Sequence, residues 1–453
     1  MYRDLRDFLA FLDQSGDIFH IWEELSPVQE IAGMIKLLNK KIGSVVFFHR
    51  VKGYNIPVVA NLLGSEKLLS LAFNTSKDLG EEYLARRKTL LKPLIVKDAP
   101  VKDIIIRNNI DIMATLPALT HHSKDIGPYI TSGLTVARHP ETGYHRMGLH
   151  RIRIRDKDSF SIVIASPGMS RIVQKAEEKG VGLEIAVVIG LDPMTFFSSV
   201  AFAPEGVDKY ELGGALRGGP LEITRAESID LEVPARAEFI LEGRLIPGLR
   251  EIDGPFGDSD GYYHGQPVYI AKVGAITHRK NPIYHALMPN TSEDSALIDL
   301  TWTPELFIQA REAFPQIKRL KISMIGFHVV VQIEKGSQDD VPGIIQHLRS
   351  LNPYSKLIVV VDTDVNIDDP KDIEWAIATR CQPDTDIRII SGIEWMEFDP
   401  SSRQIGDKYY SSVWSIDATK PLDQPERFER AGISQDVMAR LKTIVEQQKV
   451  DNP

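Results

Sequence analysis

Asp253-Gly-Pro-Phe-Gly-Asp258-Ser-Asp-Gly-Tyr-Tyr263 is the stretch from which the organisation of this chain can be worked out. Two carboxylates flank a segment that glycine and proline hold in a restricted geometry, and this pattern alone predicts a tight turn. Beside an arginine the same pair could move a proton, because repulsion favours protonation of one carboxyl while the cation keeps the other ionised. The residues around this stretch decide between the two interpretations.

The stretch lies in a region, residues 113–320, of short alternating strands separated by glycine and proline. Such a pattern predicts a sheet sandwich or barrel. Residues 1–112 and 321–453 alternate amphipathic helices with apolar strands, which is typical of α/β domains. We therefore expect an α/β (α+β) protein with three domains at these limits, the last of which ends in an amphipathic helix.

Composition excludes several classes of protein. With 453 residues, 43% of them hydrophobic and 25% charged, the chain is typical of a globular protein. Its net charge of −9 argues against general binding of nucleic acid or anionic membranes. The single cysteine, Cys381, excludes a disulfide framework and a dithiol redox motif. Since no apolar run reaches about 18 residues and the N-terminus has no signal-peptide core, we expect a cytoplasmic protein.

His145-Arg-Met-Gly-Leu-His-Arg-Ile-Arg-Ile-Arg155 concentrates four arginines and two histidines in an acidic chain. Strand periodicity places Arg151, Arg153 and Arg155 on one face. We expect Arg153 and Arg155 to lie on a solvated face. Arg146 and Arg151, nearer the glycine, are better placed to hold an anion, because guanidinium offers a bidentate fork to carboxylate or phosphate.

Other candidate segments favour plain structural roles. Val207–Arg217 runs from charged residues into a glycine pair and predicts a tight turn with surface charges. Asp362–Asp369 lacks the glycine and terminal glutamate of a calcium loop, so it predicts a capped turn before a helix. His285 is expected to be a hydrogen-bonded structural histidine, with a place in a pocket as the alternative. The sequence contains no P-loop, dinucleotide-binding glycine motif, zinc helix or nucleophile elbow.

Six segments, taken together and in order, resemble the UbiD-type family of prenylated-flavin-dependent reversible decarboxylases of aromatic and α,β-unsaturated acids. They are Leu116-Pro117 with Gly127–Gly133, Pro140–Gly143, Gly148 with Arg151, Gly214–Gly218, Asp253–Tyr263 and Ile416–Pro421. The resemblance implies an N-terminal α/β region, a central flavin-binding split β-barrel and a C-terminal α/β domain that makes dimers or larger oligomers. The strand-rich middle of the chain agrees with this independently.

The same resemblance implies a catalytic triad of Arg151, Asp253 and Asp258. Asp258 would be the proton donor that replaces CO2, Arg151 would position the carboxylate, and Asp253 would pair with Arg151. The first acid is usually glutamate in the family and is one methylene shorter here. The cofactor would be prenylated FMN or a related phosphorylated flavin. Its contacts are expected at Arg146, Leu149, His150, Arg151, Pro167, Met169 and Lys209.

This sequence departs from the family at the metal site. The family binds manganese through Asn, His and Glu, and these positions fall on Arg146, Met169 and Lys209. A family lysine beside the flavin falls on Val413. We hypothesise that the cations of Arg146 and Lys209 replace the metal and bind a phosphate directly, so no metal ligand is predicted. The competing interpretation is a site that has lost the cofactor.

The resulting expectation is a decarboxylase, or a carboxylase working in reverse, because loss of CO2 leaves an electron pair that needs a cofactor as electron sink. Its partners would be a small carboxylic acid, CO2, a flavin prenyltransferase as cofactor supplier and further copies of the chain in a dimer or hexamer. The alternatives are a non-catalytic subunit of a multi-protein carboxylase and an enzyme with a different phosphorylated ligand.

Overall fold

The computed structural model describes residues 1–39, 41–164 and 166–451, which form a mixed α/β fold as predicted. They make two compact units. The first comprises Met1–Gln309, Lys321–His328 and Gly392–Ser411, and the second comprises the rest of the chain. The predicted domain limits at residues 112 and 320 stay predictions. Within the described residues, no helix is long and apolar enough to cross a membrane.

The N-terminal part of the first unit alternates helices and strands. Its elements are α1 (Leu5–Gln14), β1 (Ile18–Leu25), α2 (Glu30–Leu38), β2 (Val45–Val51), β3 (Val58–Ala60), α3 (Glu66–Phe73) and α4 (Leu79–Arg86). Leu5, Phe8, Leu9 and Leu12 form the buried face of α1, and the Asp4 side chain caps the helix by accepting the backbone N–H of Asp7. Ser65 caps α3 in the same way, by accepting the backbone N–H of Leu68.

The middle of the chain is rich in strands, as its pattern predicts. Its elements are β4 (Leu94–Ile95), β5 (Ile104–Ile106), α5 (Ile112–Thr115), β6 (Tyr129–Ile130), β7 (Leu134–Arg138), β8 (His145–Leu149), β9 (Ile152–Ile154), β10 (Ser159–Ile162), α6 (Pro167–Glu178), β11 (Glu184–Ile189), α7 (Pro193–Ser198), α8 (Lys209–Arg217), β12 (Glu222–Arg225), β13 (Glu232–Pro234), β14 (Phe239–Gly257), β15 (Tyr263–His278) and β16 (Tyr284–Ala286).

Nine of these strands make the main sheet, in the order β6-β9-β10-β15-β14-β11-β7-β8 with β5 beside β15. In the described part of the chain this path is open, and no closed barrel forms. β16 instead joins β1, β2 and β3 in a four-stranded sheet. A small sheet contains β13, β12 and β4.

Helices cover both faces of the main sheet. The N-termini of two of them, α6 and α8, lie beside the edge strand β8. Alternate residues of β11 point into two apolar clusters, Ile185 with α6 and Ala186 with α8. The first turn of α6 lies against Arg146 of β8, and Asp208, the N-cap of α8, accepts the His145 backbone N–H of the same strand at 2.9 Å. The predicted turn at Val207–Arg217 is therefore wrong, because Asp208 caps a buried helix there.

The last third of the chain begins with a long helix and continues as α/β structure. Its elements are α9 (Ser292–Ala313), β17 (Ile317–Ser323), β18 (His328–Ile333), α10 (Asp340–Leu351), β19 (Leu357–Asp362), α11 (Pro370–Arg380), α12 (Pro383–Asp386), β20 (Ile387–Trp395), β21 (Arg403–Ile405), β22 (Lys408–Ala418) and α13 (Gln435–Asp451). The order β17-β18-β19-β22-β20, with β21 beside β22, defines its sheet. β19 is a buried strand parallel to β22. Asp369 caps α11, so the capped turn predicted at Asp362–Asp369 is confirmed.

Candidate active site

The segment with two carboxylates is a bulged strand end. β14 stays paired with β15 as far as Gly257. The register of this pairing shifts between Asp253, which faces Gln266, and Phe256, which faces His264. Gly254 has a φ of 120° at this shift, and a Cβ there would collide with the His264 backbone. The predicted turn is wrong, because the glycine and proline bend a strand that remains paired. Asp253 consequently lies inside the sheet, whereas Asp258 follows the strand.

Two arginines from the β8–β9 region reach these carboxylates. Arg151, between the two strands, donates from Nη1 to Asp258 Oδ2 at 2.5 Å, and its Nε lies 3.7 Å from Asp253 Oδ2. Arg153, within β9, forms a closer ion pair with Asp253, with 2.9 Å between Nε and Oδ1. The fold thus brings together Arg151, Asp253 and Asp258, and adds a second cation.

Arg153 and Arg155 do not lie on a solvated face, so that prediction is wrong. The Arg153 side chain is only 15% exposed, and Arg155 donates from Nε to Glu251 Oε2 at 3.0 Å. β9 and β14 are three strand spacings apart in the sheet, about 14 Å if it were flat. Side chains that stand perpendicular to the strands meet over this span only because the sheet curls, and the arginines of β9 then face the acids of β14.

Asp253 is 2% exposed and its carboxylate is surrounded by donors. Tyr129 donates its hydroxyl to Oδ1 at 3.2 Å, and Ser161 donates to the same oxygen at 3.3 Å. Burial, reinforced by the Asp253 charge, raises the pKa of Tyr129 above its ordinary value, so this phenol keeps its proton. The Phe256 ring packs on Tyr129 with 4.3 Å between centroids and lies 5.1 Å from the Arg151 guanidinium carbon.

Sequence reasoning missed Arg153, Tyr129, Ser161 and Phe256 as site residues. Tyr129 and Phe256 lie inside two of the segments that carry the family resemblance, which is the signal that could have found them. Arg153 shares a strand face with Arg155, but alternation says nothing about what that face meets. Ser161 offers no signal in the sequence.

Asp258 is more accessible than Asp253, with a side chain that is 20% exposed. Its Oδ1 accepts the Ser259 backbone N–H at 2.8 Å. Asp294, near the start of α9, is a second carboxyl in this area and accepts the Asn290 backbone N–H at 2.8 Å. Burial, with a further contribution from the Asp258 charge, raises the pKa of Asp294 to about 6. Next to Asp258 the site therefore has a buried carboxyl, Asp294, that keeps its proton up to about pH 6.

The predicted cofactor contacts surround the start of α6. His150 is buried, its Nε2 lies 3.4 Å from Ser166 Oγ, and burial lowers its pKa to about 4, so the ring is neutral. The Met169 side chain packs into the apolar cluster beneath α6. Of this group, Pro167 is exposed and Leu149 is half-buried, whereas His150 and Met169 are buried.

Arg146 and Lys209 are each 5% exposed and turn toward the same loop, residues 198–205. Lys209 Nζ donates to the carbonyl oxygens of Ser198 at 3.2 Å and Ser199 at 3.1 Å, and also to that of Ala201. Arg146 donates to the carbonyl oxygens of Ala203 at 3.1 Å and Pro204 at 3.2 Å. Burial, followed by the nearby charges of Arg146 and Arg87, lowers the pKa of Lys209 to about 7.

These residues suit a phosphate and do not suit a divalent metal. Arg146 Nε is buried and has no hydrogen-bond partner among the residues that the structure describes, which leaves a donor for an anion. Manganese favours carboxylate, carbonyl and water ligands, and Arg146, Met169 and Lys209 offer two cations and a thioether. Across the described ranges, no three His, Cys, Asp or Glu side chains are placed to hold a metal ion.

Family models match three consecutive parts of the chain. All three describe domains of 3-octaprenyl-4-hydroxybenzoate carboxy-lyase. The model of its N-terminal domain matches residues 9–87, that of its Rift-related domain matches 94–292 and that of its C-terminal domain matches 296–418. Several relatives found by sequence are decarboxylases. The chain is 31% identical to the anhydromevalonate phosphate decarboxylase of Methanothermobacter thermautotrophicus, covering 94% of this chain and 99% of that protein. It is 33% identical to the phenolic acid decarboxylase of Sedimentibacter hydroxybenzoicus, covering 93% and 92%.

Comparison with solved structures points to the same family. The UbiD-class enzyme HmfF from Pelotomaculum thermopropionicum, in complex with FMN, is 37% identical and superposes with a TM-score of 0.89 over 95% of this chain and 97% of that one. An evolved dimeric form of HmfF, in complex with prFMN, has a TM-score of 0.85 at 36% identity and the same coverage. Because all three domain models match in order and the fold is shared almost end to end with HmfF, this chain belongs to the UbiD family.

Proposed function

We propose that this chain is a reversible, non-oxidative carboxy-lyase that acts on an aromatic or α,β-unsaturated carboxylic acid with prenylated FMN. The observation that carries the proposal is the Arg151 guanidinium, held at 2.5 Å from Asp258 and beside the buried Asp253. An anion clamp and a proton-carrying group at one point are what removal of CO2 requires from a protein. Decarboxylases among the relatives, and flavin complexes of HmfF, support the same assignment.

The chain's own share of the chemistry is to orient the acid and to move a proton. Loss of CO2 breaks a carbon–carbon bond and leaves its electron pair on the substrate carbon. Prenylated FMN, when bound, supplies the electron sink for that pair. Arg151 then has the role of holding the leaving carboxylate in position, and Asp258 delivers a proton to the carbon that CO2 has left.

The ion pair between Arg151 and Asp258 gives this proposal a specific step. The substrate carboxylate competes with Asp258 for the Arg151 guanidinium. Two carboxylates at one cation repel each other, so Asp258 takes up a proton as the substrate enters. Asp253 lies between Arg151 and Arg153 and keeps the guanidinium oriented. Substrate entry thereby converts Asp258 from an ion-pair partner into a proton donor.

The experiment is co-expression of the full chain with a flavin prenyltransferase, followed by the visible spectrum, the mass of the bound ligand and an isotope assay. Candidate acids of the cinnamic, hydroxybenzoic, furoic and phosphorylated alkenoic classes are incubated with the holoenzyme in D2O. We expect deuterium at the position of the lost carboxyl with at least one class.

Two variants make this assay specific. Asp258→Asn should abolish deuterium incorporation while the flavin stays bound. Glu251→Gln is the matched control, since Glu251 pairs with Arg155 outside the Arg151–Asp258 contact. A purified chain that retains no flavin, or equal loss of turnover in both variants, would overturn the proposal.

A further inference from the structure

Two positive charges are buried beside the loop 198–205, and the acceptors nearest to them are neutral. Five backbone carbonyl oxygens accept from Arg146 and Lys209. The nearest carboxylate on either cation is that of Glu205, 3.8 Å from Arg146 Nη2, and its side chain is 57% exposed. Glu205 is already engaged by Arg171 at 2.6 Å and by Tyr144 at 2.5 Å. Buried charge of one sign without a buried partner is costly, so this pair calls for an anion.

The start of α6 offers further donors at the same place. A Cβ on Gly168 would lie 3.2 Å from Arg146 Nε, so the guanidinium lies directly against the first turn of this 12-residue helix. The Ser166 side chain makes no capping hydrogen bond and lies near His150 instead. The first N–H groups of a helix lack intrahelical partners and favour an anion. The unpartnered Nε of Arg146, judged against the described residues alone, points to the same requirement.

We propose that Arg146, through its unpartnered Nε, and the first turn of α6 bind the phosphate of the flavin directly, with Lys209 adding a buried positive charge beside them, so that this chain holds its cofactor without a divalent metal. This inference rests on the proposed flavin-dependent function. A flavin phosphate carries about two negative charges at neutral pH, which balances the two cations. On this inference, the residues at the family's metal positions hold the phosphate that the metal holds in other members of the family.

A purely structural role accounts for the carbonyl contacts of Lys209 and leaves the unpartnered Nε of Arg146, judged against the described residues, without an explanation. Lys209 caps the C-terminal end of α7, where the last carbonyl groups are unpaired and the helix dipole favours a cation. Arg146 fastens the following loop. A neutral donor would satisfy those carbonyls without placing a second charge beside Arg146. The two roles predict different ligand preferences, and this makes them separable.

The test uses the full chain, freed of flavin and dialysed against EDTA, with FMN and riboflavin as probes. The two probes share the isoalloxazine ring, so the ratio of their Kd values isolates the phosphate. We expect FMN to bind about 10-fold or more tighter than riboflavin in EDTA, the effect of one or two charge-assisted hydrogen bonds. Added MnCl2 should leave the Kd of FMN unchanged, and metal analysis of the FMN complex should find no stoichiometric manganese.

Variants then assign the effect to residues. Lys209→Met and Arg146→Met should each remove most of the preference for FMN and leave riboflavin binding in place. Arg171→Gln is the control, because Arg171 pairs with Glu205 on the surface. If a methionine variant does not fold, the comparison of EDTA with MnCl2 on the unaltered chain still decides the question.

Three outcomes are informative. Tight FMN binding in EDTA supports the inference. FMN binding only with manganese overturns it and leaves the proposed function standing. Absence of FMN and riboflavin binding with and without manganese overturns both the inference and the proposed function.

Discussion

Arg153 Nε lies 2.9 Å from Asp253 Oδ1, which makes Arg153 the nearest cation to the buried carboxylate. Arg151, which the family resemblance assigns to the triad, is 3.7 Å from Asp253 and instead contacts Asp258. The two arginines therefore divide the work. Arg153 pairs with the interior carboxylate, and under the proposed function Arg151 is then available to exchange Asp258 for a substrate carboxylate.

Replacing Arg153 with methionine should lower both stability and turnover. Asp253 would lose its closest cation while remaining buried, and breaking a buried ion pair costs about 3–5 kcal/mol. Chemical denaturation should show a loss near the lower end of this range, because Arg151 still faces Asp253. For catalysis, Arg153 acts through Asp253, so we expect kcat to fall more than KM rises.

Arg155→Met is the matched control for that prediction. Arg155 pairs with Glu251, whose side chain is 37% exposed, and such pairs contribute about 0–1 kcal/mol. Equal losses of unfolding free energy in the two variants would contradict the prediction, because the Arg153–Asp253 pair would then contribute no more than the exposed Arg155–Glu251 pair.

The contrast between Arg151 and Arg153 shows how far sequence reasoning reaches. The family motifs name Arg151, Asp253 and Asp258, and the fold brings them together. The partner of Arg153 could not be predicted, because Asp253 is 100 positions away and the contact depends on the curl of the sheet between β9 and β14. Strand alternation identifies which residues share a face and does not identify what covers it.

Local patterns succeeded where burial is decided locally. The apolar run of β19 predicts a strand buried on both faces, and Asp369 is recognisable as a helix cap. Val207–Arg217 failed for the opposite reason. Its charges and glycine pair indicate a surface turn, yet tertiary packing buries Lys209 and Arg217 against backbone carbonyls. The curl of the sheet, the bulge at Gly254 and this buried helix all depend on contacts between distant segments.

Asp294→Asn should flatten the dependence of stability on pH. Burial raises the pKa of Asp294 to about 6 from an ordinary value of 3.8, so the folded chain binds this proton more tightly than the unfolded chain does. The resulting stability is fully present below pH 3.8 and is lost as the pH rises to about 6. Asp299, whose pKa burial raises to about 7, extends the loss further.

Urea denaturation between pH 4 and 8 checks this prediction. The asparagine variant should lose less stability across the interval than the parent and should be the more stable protein at neutral pH. Its amide oxygen can still accept the Asn290 backbone N–H. The exposed substitution Asp384→Asn is the control and should follow the parent curve. A steeper slope in Asp294→Asn would contradict the assignment.

Binding of FMN should be linked to uptake of a proton by Lys209. Burial and the charges of Arg146 and Arg87 lower the pKa of this ammonium group to about 7, so above that pH the free chain holds a largely neutral amine. An arriving phosphate favours the charged form. The affinity for FMN should therefore fall as the pH rises from 7 to 9. Isothermal titration calorimetry in buffers of different ionisation enthalpy measures the proton uptake directly.

The same calorimetry on Lys209→Met identifies the group. Proton uptake should disappear in this variant, and the residual affinity should no longer depend on pH in this interval. Riboflavin, which lacks the phosphate, should bind to the parent chain without proton uptake. Uptake that persists in Lys209→Met would assign the linkage to another group.

At Asp253, a substitution that removes the negative charge should destabilise the protein more than one that only changes the size of the side chain. Asp253→Asn leaves Arg151 and Arg153 without the buried carboxylate between them, which costs about 3–5 kcal/mol. Asp253→Glu keeps the charge and restores the residue type usual in the family. Its extra methylene would strain the contacts to Tyr129 and Ser161, and overpacking of this kind costs about 1–3 kcal/mol. The longer side chain can also close the 3.7 Å gap to Arg151.

Thermal unfolding should therefore place Asp253→Glu between the parent and Asp253→Asn, and deuterium incorporation should survive in the glutamate variant alone. The reverse order would mean that the shape of this cavity, and not its negative charge, holds the two arginines.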